Sequence, residues 1–130
     1  MLNIVVFGKG GIGKSTISAS LSTVYALQGR KVLHVGCDPK HDSAAALVPG
    51  GRVTTFLEKH GRVTGIRDLP PIRPEDMVVR GRHGIDCVEA GGPEPGFGCA
   101  GRGVALMLEA FEAFGVLESG RYDMAIFDVL

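Results

Sequence analysis

"GKGGIGKS", residues 8–15, decides how the rest of this chain is read. It satisfies G-x-x-x-x-G-K-[ST], follows the apolar run "LNIVVF" (2–7) and opens the helical pattern "STISASLSTVYALQG" (15–29). A strand, a glycine-rich turn and a helix in that order aim unpaired backbone amides at a phosphate, where the helix dipole favours negative charge. The motif predicts a nucleotide-binding loop made of Gly8, Lys9, Gly10, Gly11, Ile12, Gly13, Lys14, Ser15 and Thr16. Within it, Lys14 is expected to reach the β- and γ-phosphates and the Ser15 hydroxyl to coordinate magnesium. An ordinary glycine-rich turn is the bland alternative. A dinucleotide-type turn gives the lysine–serine pair no role.

The flanks extend the pattern. "LNIVVF" reads as a buried strand, and the helix after the loop carries Ile17, Leu21, Val24 and Leu27 at helical spacing, with Gly29 as its stop. "KVLHVG" (31–36) is a second strand, which completes a β-α-β unit and implies a parallel sheet. Residues 42–80 are less regular: "AAALV" suggests a short helix, "VTTFLEKHG" another, and "DLPPIRPED" a proline-rich loop. "IDCVEAG" (85–91) is a third strand, "GVALMLEAFEAFG" a helix with Val104, Leu106, Leu108 and Phe111 available for packing, and "YDMAIFDVL" a fourth, buried strand. The predicted fold class is α/β, a P-loop NTPase-type, mostly parallel sheet flanked by helices. Residues 1–130 are expected to be the N-terminal part of a single nucleotide-binding domain, truncated after its fourth recognisable strand.

Composition narrows the function classes. Fourteen basic and 14 acidic side chains balance, which argues against a general nucleic-acid or membrane-surface binder. No signal-peptide pattern is present, and no window approaches the roughly 20 apolar residues of a membrane span. Three cysteines without close pairs argue against a disulfide framework and for a reducing, cytoplasmic setting.

In open α/β sheets ligands sit beyond the carboxyl ends of the strands. Asp38 and Asp42 follow the second strand and Asp128 ends the fourth. Asp128 fits a Walker B role, holding magnesium through its water. Asp38 fits orientation or deprotonation of an attacking water, and Asp42 the coupling of a loop to the magnesium shell. Each is also a residue type found at N-caps and turns. "CDPKH" (37–41) brings Cys, Asp and His together, but no second Cys/His pair with zinc spacing accompanies it. His34, His60 and His83 read as structural or solvated.

"GGPEPGFGCAGRG" (91–103) sets Cys99 among six glycines and two prolines, a backbone built for close approach and exposed amides. Together with "GKGGIGKST", "GCDPKHDS" and "FDVL", in this order, it resembles the nitrogenase iron protein family across essentially the whole chain. The early Lys9 is similar to that of deviant Walker A proteins, where such a lysine reaches the nucleotide of the other subunit; a solvated loop lysine is the alternative. The resemblance implies a homodimer that binds MgATP and bridges one [4Fe-4S] cluster, Cys99 being the first of two cluster cysteines per subunit. The second would lie a few residues beyond "DVL", past Leu130, so two copies of this chain supply two of the four thiolates that such a cluster needs. Cys37 and Cys87 do not occupy the missing place and read as structural. Catalytic roles fall by resemblance to Lys9, Asp38 and Asp128, and partner docking with possible ADP-ribosylation to Arg102. An ordinary surface arginine is the other reading there.

The resemblance further implies an ATP-gated, one-electron reductase. It would be fed by a ferredoxin or flavodoxin and would serve the catalytic component of nitrogenase or a nitrogenase-like enzyme. "GPEPGFGCAGRG" is similar to the nitrogenase end of the family, and the histidine of "DPKHDS" to the protochlorophyllide-reducing relatives. A metal-free deviant Walker A ATPase of the partition or septum-positioning type explains Lys9, Lys14 and Asp128 but leaves the glycine-wrapped Cys99 without a reason. A metallochaperone-type ATPase would want C-x-x-C, which is absent.

Overall fold

Four parallel strands and one antiparallel edge make the frame on which the predicted loop is hung. The structure, a computed structural model, describes residues 1–9, 13–38, 42–61, 63, 65–92 and 101–129. Its elements are β1 (Leu2–Phe7), α1 (Lys14–Leu27), β2 (Val32–Cys37), α2 (Phe56–His60), β3 (Val79–Arg80), β4 (Asp86–Glu89), α3 (Arg102–Ala113) and β5 (Met124–Val129). Short 3-10 turns at Ile66–Asp68, Pro74–Asp76 and Arg82–Gly84 punctuate the irregular middle of the chain. The sheet order is β1-β5-β2-β4-β3, parallel throughout except for the β3–β4 pair.

Each face of the sheet has its own core. Leu33, Val35, Val88 and Ala125 pack with Leu106, Met107 and Phe111 of α3 and with Phe56 of α2. On the other face Val32, Cys87, Met124 and Ile126 pack with Ala19 of α1 and with Ala44, Leu47 and Val53. Strand residues alternate between the two faces, which is why a parallel sheet covered on both sides reads as unbroken apolar runs.

Several expectations are corrected. A fifth strand exists: β3 has only two residues, too short for any periodicity to show. "AAALV" forms turns rather than a helix, with Ala45 N donating to Asp42 O and Leu47 N to Ala44 O. Part of "DLPPIRPED" is helical, since Pro74 sits at the first position of a 3-10 turn. β1 is an edge strand, not a buried one. Among the described residues it pairs with β5 alone and leaves Phe7 75% exposed. Most of the stripe expected to pack α1 also faces outward: Ile17, Val24 and Leu27 are exposed, and only Leu21 is half-buried against the core. The inner face of α1 is instead Lys14, Ser18, Ala19 and Ser22, small or polar groups that let the helix lie close to a sheet face carrying polar side chains.

Candidate functional site

Adjacency of β1 and β5 builds the site. Their register pairs Val6 with Asp128 and Phe7 with Val129, so the loop leaving β1 begins beside the Asp128 carboxylate. Gly13 starts α1 in the left-handed conformation (φ 88°) that glycine tolerates, and as the cap residue it has no side chain to bond the first amides. The buried Lys14 ammonium pairs with Asp128 Oδ1 across 114 residues of sequence. Ser43 Oγ donates to Oδ2 of the same carboxylate at 2.5 Å, and Ser15 bonds to it as well. Burial would raise the pKa of Asp128, but the hydrogen bonds from Lys14, Ser43 and Ser15 and the ammonium charge outweigh it and hold the carboxyl below its ordinary value.

Lys14, Ser15 and Asp128, the three groups assigned to a magnesium nucleotide, are thus already in mutual contact, and their donor chemistry fits hard magnesium and phosphate oxygens. Thr16 and Asp42 are exposed, and with Ser15 and Ser43 they line an open groove of about 520 Å³ between α1 and the segment after β2. Asp38 is buried at the end of β2. Lys9 is exposed and Gly8 half-buried. Gly10, Gly11 and Ile12 lie outside the described residues.

Two features were missed in the sequence. One is a chain of buried side chains reaching Asp128: Ser22 Oγ lies 2.8 Å from His34 Nδ1, and His34 Nε2 lies 2.8 Å from Ser43 Oγ. Burial drives the His34 pKa down to about 4, against the opposing pull of the Asp128 charge and the Ser43 hydrogen bond, so the ring is neutral near pH 7. The other is Glu89, fully buried in β4. The register sets Gly36 between Glu89 on one side and Asp128 on the other. A Cβ at Gly36 would fall within 2.7 Å of Glu89 Oε1, so only glycine leaves room for that carboxylate. Glu89 Oε1 accepts from Ala44 N at 2.6 Å, while Oε2 has no partner among the described residues. Burial first, and then the charges of Asp42, Asp128 and Asp38, push its pKa up to about 7, against the Ala44 hydrogen bond. For His34 the available signal was a lone polar residue inside the apolar strand "VLHVGC"; for Glu89 it was an acidic residue ending the short strand "DCVE".

Cys99 lies outside the described residues, but both ends of its loop are described. Gly91 has φ 80°, and a Cβ there would lie 2.5 Å from Thr55 Oγ1, the side chain that caps α2. A Cβ at Gly103 would strike the Gly91 and Ala90 carbonyls. Gly91 thus lets the chain leaving β4 pass close to Thr55, and Gly103 lets the start of α3 lie against the Ala90 and Gly91 carbonyls. Arg102 is half-buried there, and its guanidinium donates to the Gly61 carbonyl at 2.7 Å and to that of Val63. Cys37 and Cys87 are buried thiols whose pKa values burial raises to about 11 and about 12, so neither has the thiolate character of a cluster ligand.

Residues 2–130 match the family described as "4Fe-4S iron sulfur cluster binding proteins, NifH/frxC family". The chain belongs to that family. The nitrogenase iron protein of Methanococcus voltae is 43% identical over 132 residues, covering 100% of this chain and 45% of that protein. Nitrogenase iron protein 2 of Methanothermococcus thermolithotrophicus is 41% identical over 138 residues, covering 100% of this chain and 47% of its own length. The chain therefore spans less than half the length of these family members. Among solved structures, cobyrinic acid a,c-diamide synthase from Mycobacterium smegmatis, with bound ATP analog and magnesium, aligns with a TM-score of 0.63 at 22% identity. That alignment covers 98% of this chain and 50% of the synthase. The septum site-determining protein MinD of Pyrococcus horikoshii, complexed with Mg-ADP, aligns with a TM-score of 0.62 at 22% identity over 98% of this chain and 47% of its own. These likenesses establish the P-loop α/β fold that the family member adopts here. No described helix is long and apolar enough to cross a membrane.

Proposed function

We propose that this chain is the nucleotide-binding portion of an iron-protein-type reductase that couples MgATP binding and hydrolysis to one-electron transfer. The protein acts as a cytoplasmic homodimer, takes electrons from a ferredoxin or flavodoxin and delivers them to the catalytic component of nitrogenase or a nitrogenase-like enzyme. The observation that carries the reading is the pairing of two features in one family member. One is a P-loop lysine in contact with the Asp128 carboxylate; the other is the glycine-rich Cys99 segment, which runs from the end of β4 to the start of α3, where Gly103 lies against the Ala90 and Gly91 carbonyls.

The roles follow from the side chains. Lys14 leaves Asp128 for the phosphates, because a nucleotide brings more negative charge than one carboxylate. Ser15 turns its hydroxyl oxygen to the magnesium, and Asp128, relieved of both, accepts from the magnesium's water while Ser43 holds it in place. Asp38 orients the water that attacks the γ-phosphate, Lys9 reaches the nucleotide of the other subunit, and Asp42 follows the magnesium shell. Ala44 ties that segment to Glu89, at the end of the strand that leads into the Cys99 loop. When bound, the cluster supplies reversible one-electron chemistry. Cys99 is the ligand this chain contributes, the N-terminus of α3, whose cap residue Gly101 has no side chain, adds a favourable dipole for negative charge, and Arg102 lies on the rim used for docking.

The test is iron and acid-labile sulfide per dimer of the anaerobically purified protein, with electron paramagnetic resonance after dithionite reduction. About four iron and four sulfide per dimer, with a reduced signal altered by MgATP, is the expected result. Protein that hydrolyses ATP but takes up no cluster on reconstitution would return the assignment to a positioning ATPase.

A further inference from the structure

His34 stands where a buried parallel strand ordinarily carries an aliphatic side chain, since "VLHVGC" is buried at every position. An imidazole in such a place costs free energy unless both ring nitrogens are satisfied, and here both are, by Ser22 and Ser43. Packing does not call for this residue. The direction of the bonds gives it a use.

The Asp128 carboxylate can only accept, so the Ser43 hydroxyl proton is committed to Oδ2. Ser43 Oγ must then accept from the ring, which makes Nε2 the protonated nitrogen. Nδ1 is left bare and accepts from Ser22 Oγ–H. One tautomer satisfies every link, and Ser22, His34, Ser43 and Asp128 are all buried. Four parts of the fold are joined: α1, β2, the segment after β2, and β5.

We propose that His34 is a positioning residue for Asp128. By donating to Ser43 it prevents that hydroxyl from turning away, and so fixes how the carboxylate is presented when Lys14 and Ser15 leave it for a magnesium nucleotide. The proposal rests on the nucleotide-site reading above and adds to it a residue outside the P-loop and the strand-end carboxylates. Without the Nε2–H donor, Ser43 rotates freely and Asp128 loses its only fixed partner at the moment it must hold the magnesium's water.

The test measures the affinity of a fluorescent ADP analogue with magnesium and with EDTA in the wild-type protein, His34→Gln and His34→Leu. The readout is the ratio of the two affinities, which a general loss of packing leaves unchanged because it acts on both. Glutamine places an N–H donor near the position of Nε2 and is expected to keep the wild-type ratio. Leucine fills the space without a donor and is expected to lower the ratio about tenfold, the value of one buried hydrogen bond to a charged site. A folded His34→Leu protein with an unchanged ratio, or a glutamine variant that falls as far as leucine, overturns the proposal alone. A wild type whose nucleotide binding ignores magnesium overturns the site reading and the proposal together. The ring ¹⁵N shifts of the wild type need no variant: a protonated Nε2 is expected, and a protonated Nδ1 refutes the relay whether or not His34→Leu folds.

Discussion

Replacing Glu89 by glutamine should stabilise the nucleotide-free protein at neutral pH and leave it nearly unchanged in acid. Glu89 has a pKa of about 7 in the fold against an ordinary 4.5. Between those values the folded chain holds a proton that the unfolded chain has released. Stability therefore falls as pH rises through the window and is flat above it. Each pH unit is worth about 1.4 kcal/mol, so about 3 kcal/mol is lost between pH 4 and pH 8. His34 acts in the opposite direction. Its pKa of about 4 lies below the ordinary 6.5, so its contribution is complete above pH 6.5 and is lost as pH falls toward 4. From about pH 4.5 to 6.5 the His34 slope opposes that of Glu89 in the parent protein, and His60, lowered by burial and then by Lys59, adds to the His34 side. Glutamine keeps the acceptor for Ala44 N and puts an amide donor where the unpartnered Oε2 now faces the field of three carboxylates. Urea titrations from pH 4 to 8 would measure this, followed by far-ultraviolet ellipticity because the chain has no tryptophan. The variant should match the parent near pH 4 and exceed it by about 3 kcal/mol at pH 8, with the rising slopes of His34 and His60, both held below the ordinary histidine value, left in the variant. A difference that does not change with pH, or a variant less stable at pH 8, would refute the reasoning.

Three further outcomes are expected. Gly36→Ala sets a methyl against the Glu89 carboxylate and should cost about 2 kcal/mol in urea unfolding, with part of the loss recovered when Glu89→Ala is added; full additivity of the two would count against the contact. Lys14→Ala strands Asp128 as a buried charge and should cost about 3–5 kcal/mol as well as abolishing nucleotide binding in a fluorescence titration, whereas loss of binding without loss of stability would mean that the pair is solvated. Cys37 and Cys87 should remain unmodified by a thiol reagent at pH 8 until urea is added, because burial keeps both protonated; rapid labelling of either in the folded protein, read by mass spectrometry, would contradict their environment.

What the sequence determined was local. A glycine run bounded by an apolar strand and a helical pattern has few solutions, so the P-loop, α1, β2 and β4 were legible, as was the kinship carried by the Cys99 loop. Periodicity misled on α1. Ile17, Val24 and Leu27 have the spacing of a buried face, yet α1 turns Ser18, Ala19 and Ser22 to the sheet, because spacing identifies a stripe and not the surface it meets. Turns at 43–47 replaced the expected helix because they bring Ser43 to Asp128 and Ala44 to Glu89, two bonds made with strands far along the chain. Only the tertiary structure decided those pairings. Strand order put β5 between β1 and β2, and register then set Asp128, Gly36 and Glu89 side by side. The roles of His34 and Glu89 come from partners separated from them by as many as 45 residues, and no local pattern encodes which carboxylate a buried polar group will face.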